Sequence, residues 1–149
     1  WNNGKLKHWS VMEIDRLYFY KGNNYKILGE AKMKDSEKNW IDAVRYEDIH
    51  AAYKGEFVRD KQQFENRFIP AVLRVGDKVM IISHGKLVGV TEVIDEMEDF
   101  VSLKQSIGDA PKTLSKEVSK QGYIMMHHHW EFYLYNETTC NARGFEFKQ

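Results

Sequence analysis

A chain of 149 residues with 42% hydrophobic and 30% charged side chains has apolar material for one ordinary domain or two small ones, and is neither disordered nor membrane-spanning by composition. Its 22 basic and 22 acidic residues give a formal net charge of zero, which excludes a uniformly basic nucleic-acid coat and leaves only a local basic face. A single cysteine, Cys140, excludes an internal disulfide and cannot build a thiolate zinc site alone.

The first eleven residues carry Lys5 and Lys7 but lack the continuous apolar core of a secretory signal, so no targeting sequence is read and a cytoplasmic location is expected. Leu17 to Tyr20 and Tyr25 to Ala31, separated by Lys21-Gly22-Asn23-Asn24, predict two strands around a tight turn, because Gly and Asn accept positive φ. Trp40 to Tyr46 predicts a third strand after a polar loop. Glu47 to Lys54 reads as a helical turn, and Phe57-Val58-Arg59 as a short strand. Asp60 suits the N-cap of a helix over 61–68, where Phe64 and Phe68 fall on one face. This strand-dense order argues for a small barrel over 12–68.

A second lobe is expected over 69–149. Residues 75–94 predict a hairpin turning at His84-Gly85-Lys86, followed by an acidic stretch from Glu92 to Asp99 that reads as a solvated edge. Leu114 and Val118, four apart and followed by Gly122, predict a short helix within 111–121. Residues 123–135 read as the longest strand, 136–143 as a polar loop and 144–147 as a final strand. The expected fold is therefore mainly β with short helices.

Certain strings resemble known families. Tyr20-Lys21-Gly22, Tyr25, Ile27-Leu28, Ala31, Glu37, the strand ending at Tyr46, and Phe57-Val58-Arg59 with Phe64 behind resemble the DUF1653 family of bacteria and phages. That resemblance implies an SH3-like barrel for the first half. Val75-Gly76-Asp77, Val79, Ile81, Gly85, Gly89 and Val93 are similar to a KOW-type pattern, and KOW and Tudor-like barrels often touch RNA, DNA or transcription machinery. Together the halves resemble the MotB-type transcription modulators of T4-like phages. This implies binding of nucleic acid, with duplex DNA the expected form, modulation of host transcription and residence in the host cytoplasm.

Chemistry is sparse. In His127-His128-His129, a strand would place only His127 and His129 on one face, and two imidazoles do not make a zinc site, so no metal is expected. Cys140 sits in a polar Thr-Thr-Cys-Asn context without the signature of an activated thiolate. Neither a phosphate-binding P-loop nor a dinucleotide fingerprint is present, so the expectation is a binding protein without catalysis or cofactor.

The candidate nucleic-acid residues are Lys21, Lys26, Lys32, Lys34, Arg59 and Lys61 on one rim of the barrel, with Tyr18, Tyr20, Tyr25 and Trp40 as stacking rings or core. An alternative is a cleft lined by Tyr25, Trp40, Tyr123, His127, His129, Trp130 and Tyr133. It would capture a small cyclic or ADP-ribose-type nucleotide, as an anti-defence sponge. A third expectation is an adaptor docking on a host transcription or nucleoid protein; no membrane partner is expected.

Overall fold

A computed structural model describes residues 12–50 and 55–149. Strands account for 51% and helix for 10%, so the chain is mainly β, as its turn chemistry predicts. It divides into two units, Trp1–Pro70 and Ala71–Gln149. Among the described residues no helix is long and apolar enough to cross a membrane.

The first unit contains β1 (Leu17–Tyr20), β2 (Asn23–Lys34), β3 (Trp40–Asp48), β4 (Glu56–Asp60), α1 (Lys61–Arg67) and β5 (Ile69–Pro70). All neighbouring strands are antiparallel, in the order β4-β3-β2-β1-β5. Tyr20 pairs with Asn23, leaving Lys21 and Gly22 as a two-residue turn with φ of 50° and 81°. Positive φ at both positions matches the right-handed strand twist, and so closes the hairpin tightly.

Asp60 caps α1, its Oδ1 accepting from Gln63 N at 3.0 Å. The helix carries the chain from one edge strand, β4, to the other, β5. A flat five-stranded sheet would hold those edges roughly 19 Å apart, while seven helical residues span about 10 Å, so the sheet curls around α1. Phe64 and Phe68 of the helix are buried against Tyr18, Ile27, Val44 and Tyr46.

The second unit contains β6 (Lys78–Ser83), β7 (Lys86–Glu96), β8 (Phe100–Leu103), β9 (Thr113–Ser115), β10 (Tyr123–His127), β11 (Trp130–Leu134) and α2 (Glu137–Arg143). Six strands in the order β10-β11-β6-β7-β8-β9 form a nearly closed, barrel-like sheet. The expected hairpin is present: Ser83 pairs with Lys86 around His84 and Gly85, both at positive φ. Val79, Ile81, Val93, Val101, Leu103, Leu114, Phe132 and Leu134 are buried, and their cross-strand pairings place them on the inner face. The outer face of β6 and β11 is also covered: Met80, Ile82 and Tyr133 pack with Cys140 of α2, Leu87, Tyr135, Phe145 and Phe147. One end of the barrel is filled by the loop before β9. Gly89 leaves room for Ile107, whose Cδ1 would lie 2.3 Å from any Cβ there, and Trp130 packs on Gly108.

Five elements differ from the sequence reading. The helix expected within 111–121 is extended chain: Thr113–Ser115 pairs with β8, and Leu73 N and Val118 N bond to Lys116 O and Ala71 O. Cross-strand pairing outweighs the four-residue spacing of Leu114 and Val118, and Gly122 serves a turn with Ser119. The long strand over 123–135 is a hairpin, because His128 adopts φ of 55° and reverses the chain between His127 and Trp130. The loop over 136–143 is α2. The strand expected over 144–147 is replaced by the Gly144 C-cap, at φ of 81°, and irregular chain. In the helical turn expected over 47–54, Glu47 and Asp48 belong to β3, and residues 51–54 lie outside the described residues.

Candidate functional site

The β2–β3 ribbon decides which way the candidate cations point. A bulge between Ile27 and Gly29 inserts one residue, which reverses the alternation along β2. Lys26 therefore pairs with Glu47 on the outer face, while Glu30, Lys32 and Lys34 lie opposite Val44, Asp42 and Trp40 on the face that carries the core. The continuous rim expected from sequence is thus divided, and two of its members are neutralised. Lys61, only 7% exposed, donates to Glu30 Oε1 at 3.2 Å, and the same carboxylate accepts from Met12 N at 2.7 Å. Lys32 is ion-paired with Asp42. Hydrogen bonding from Lys32, then its charge, holds the Asp42 carboxyl below the usual carboxylate range.

Both pairs line an open groove of about 810 Å³ between α1 and the ribbon, together with Asp60 and Glu65. Four carboxylates and two lysines line it, and both lysines stand in ion pairs with carboxylates of the lining. Lys32 and Lys61, expected on a phosphate-binding rim, thus stand in ion pairs with Asp42 and Glu30.

A different constellation runs from β1 across the core-bearing face to the edge strand β4. Tyr20 stacks on Phe68 at 4.3 Å, and Tyr25 meets Tyr46 edge-on at 5.3 Å. Phe57, 48% exposed, stacks on Tyr46 at 5.5 Å and stands perpendicular to Tyr25 at 6.4 Å. Tyr46 and Phe68 are buried, whereas Tyr20 and Tyr25 are half-buried, so three rings reach solvent from one aromatic base.

Two cations frame them. Lys21 Nζ lies 5.3 Å from the Tyr20 ring. The Arg59 guanidinium lies 5.5 Å from Tyr20 and 5.3 Å from Phe68, with Nε donating to Tyr46 Oη at 3.3 Å and Nη1 to Gln63 Oε1 at 3.2 Å. Of the sequence candidates, Lys21, Tyr20, Tyr25 and Arg59 come together here, while Tyr18 is core. Phe57 was missed as a site residue: the alternation of a short strand does not say which ring stays half exposed. At the far end of the ribbon Lys34 lies over the exposed Trp40 ring, 5.2 Å away.

Within the first unit the two residues of the alternative nucleotide cleft lie apart. Tyr25 pairs with Asp48 and Trp40 with Lys34, at opposite ends of β2–β3 and eight strand positions apart, a separation of roughly 26 Å. Tyr123 and Tyr133 meet at 5.4 Å, but the Tyr133 ring is buried under Arg143, whose Nη1 donates to Tyr133 Oη at 3.0 Å. Burial, offset in part by Arg143, pushes the Tyr133 hydroxyl up. At the other end of that hairpin Trp130 is buried, with Nε1 donating to Asp109 Oδ1 at 3.0 Å. Trp130 and Tyr133, expected to line a cleft, are thus buried within the second unit.

The histidines also group differently from expectation. His129 leaves His127, stacks on His84 at 4.7 Å and lies 2.6 Å from Ser83 Oγ through Nδ1. Among the described residues no three His, Cys, Asp or Glu side chains are grouped to hold a metal ion. Cys140 is buried, and that burial pushes its thiol up.

Compared with known proteins, the chain matches no family model, no curated protein and no solved structure.

Proposed function

We propose that the protein is a non-enzymatic nucleic-acid-binding module whose contact surface is the aromatic patch of Tyr20, Tyr25 and Phe57, flanked by Lys21 and Arg59. The observation that carries this reading is the coincidence of three solvent-reaching rings with two cations on one face of the first unit. Rings of this kind accept the π-face of any base, and each base–ring stack contributes about 1 to 3 kcal/mol. Arg59 is held by Tyr46 and Gln63, so the guanidinium stays beside the rings without reordering on binding. With DNA as ligand, modulation of host transcription is the process that the MotB-type resemblance suggests.

Fluorescence-anisotropy titrations with labelled single-stranded and duplex DNA of equal length test the proposal. Binding of both is expected, tighter for the single strand because its bases can splay onto the rings. Phe57→Ser should weaken binding tenfold or more while leaving the melting temperature nearly unchanged, since the ring is half exposed. Undetectable binding of either nucleic acid at low salt, or binding indifferent to Phe57→Ser and Lys21→Ala together, overturns it.

A further inference from the structure

The β7–β8 hairpin of the second unit carries large apolar side chains that its own packing leaves unused. Ile94, Met97 and Phe100 are 52%, 42% and 50% exposed. Their orientation follows from the register. Glu96 pairs with Val101, which is fully buried, so that pair lies on the inner face. Met97 N donates to Phe100 O at 2.7 Å, placing the next pair on the outer face. Ile94 falls in the irregularity between Val93 and Asp95 and is also exposed.

Around these side chains stand Asp95, Glu98 and Asp99, all exposed, and among the described residues no lysine or arginine pairs with them. Asp95 Oδ1 accepts from Glu96 N at 3.0 Å, and among the described residues Glu96 is the one of these four carboxylates held in ion pairs. Its carboxylate accepts from Val75 N at 3.2 Å and sits 3.5 Å from Arg74 Nη1 and 3.7 Å from Lys116 Nζ. Lys116 N also bonds to Asp99 O at 3.2 Å. The base of the hairpin is thereby braced, so its apolar tip is held in place rather than swinging freely, which lowers the entropy lost on docking.

We propose that this hairpin tip is a docking surface for a protein partner that presents basic side chains around an apolar pocket. Charge selects the occupant: three unpaired carboxylates repel nucleic-acid phosphate and repel the same tip of a second copy, whereas a basic rim is attracted and steered. The apolar trio then supplies the anchors that hold the complex once water is excluded. This surface belongs to the second unit and stands independently of the aromatic patch in the first.

The experiment is an NMR titration of the full chain with three synthetic twelve-residue peptides: alternating Lys and Leu, alternating Lys and Ser, and alternating Glu and Leu. The Lys/Leu peptide is expected to shift resonances of Ile94 to Phe100 selectively. The Lys/Ser and Glu/Leu peptides should each bind at least tenfold more weakly. Met97→Ser with Phe100→Ser should reduce Lys/Leu binding about tenfold at unchanged melting temperature, and Asp95→Asn with Glu98→Gln and Asp99→Asn should remove its salt dependence. Equal binding of Lys/Ser and Lys/Leu, shifts confined to other surfaces, no shift at millimolar peptide, or perturbation of the same residues by duplex DNA overturns the proposal. Sedimentation showing a dimer that Phe100→Ser dissolves would assign the surface to a second copy and overturn it equally.

Discussion

Lys61 and Lys32 show how one residue type takes opposite energetic roles a short distance apart. Lys61 is buried beside Glu30, so Lys61→Ala removes the counter-charge of a half-buried carboxylate. It is expected to lower unfolding free energy by about 1 to 3 kcal/mol in urea titrations. Lys32→Ala breaks a fully exposed pair with Asp42, where solvent screens the charges, and should leave the urea midpoint nearly unchanged. Its readout is instead the Asp42 titration. A carboxylate depressed by its partner contributes stability above its unfolded pKa, and that contribution is lost as pH falls through the folded value. NMR should find the Asp42 midpoint below the ordinary Asp range, returning to it in Lys32→Ala.

Cys140 follows the opposite sign. Burial favours the neutral thiol, so its contribution is intact below the ordinary thiol pKa and declines as pH rises above it. Alkylation of Cys140 at pH 8 should accordingly be slow in the native protein and fast in denaturant. The sequence showed Lys61 only as a cation, because its partner lies 31 residues away and is brought to it by the fold.

Among the elements, α2 and the β10–β11 hairpin were the least legible, for two physical reasons. In α2 the segment Glu137-Thr138-Thr139-Cys140-Asn141-Ala142-Arg143 has no apolar stripe, so periodicity is silent, and the signal lay only in its ends. Asn136 accepts from Thr139 N at 3.0 Å, Thr139 Oγ1 accepts from Asn136 N at 3.2 Å, and Gly144 supplies the left-handed cap. Asn136→Ala should cost about 1 to 2 kcal/mol, because the cap is buried, and Gly144→Ala about 1 kcal/mol. Thermal melts of the two variants check this. The hairpin was hidden because His128-His129 is not turn chemistry. Histidine nevertheless tolerates positive φ better than most residues, and the adjacent β6–β11 pairing fixes the register. The β1–β2 and β6–β7 turns were readable since Gly22 and Gly85 declare them. The aromatic patch was half legible: Tyr20, Tyr25, Lys21 and Arg59 were named from sequence, but the bulge that separates Lys26 from Lys32 and Lys34 is invisible to simple alternation.

At the scale of the whole molecule, a net charge of zero limits how nucleic acid can be held. With Lys32 and Lys61 paired to carboxylates, Lys21 and Arg59 are the cations beside the rings of the Tyr20–Tyr25–Phe57 patch, so about two phosphates can be neutralised there. Each contributes about −0.7 for single strands or −0.9 for duplex to the slope of log affinity against log salt, so the slope should lie near −1.4 to −1.8. Raising salt from 50 to 200 mM should weaken binding by only about tenfold, against roughly 10³ to 10⁵ for a protein that grips six to ten phosphates. The two kinds of contact then separate in one data set. Lys21→Ala should make the slope shallower by about 0.7 to 0.9. Phe57→Ser should lower affinity by about 1 to 3 kcal/mol at every salt concentration and leave the slope alone, because a lost stack releases no counterion. A wild-type slope near −6 would mean that a broader basic surface does the binding, and Phe57→Ser altering the slope rather than the intercept would show that the rings position the cations instead of stacking on bases.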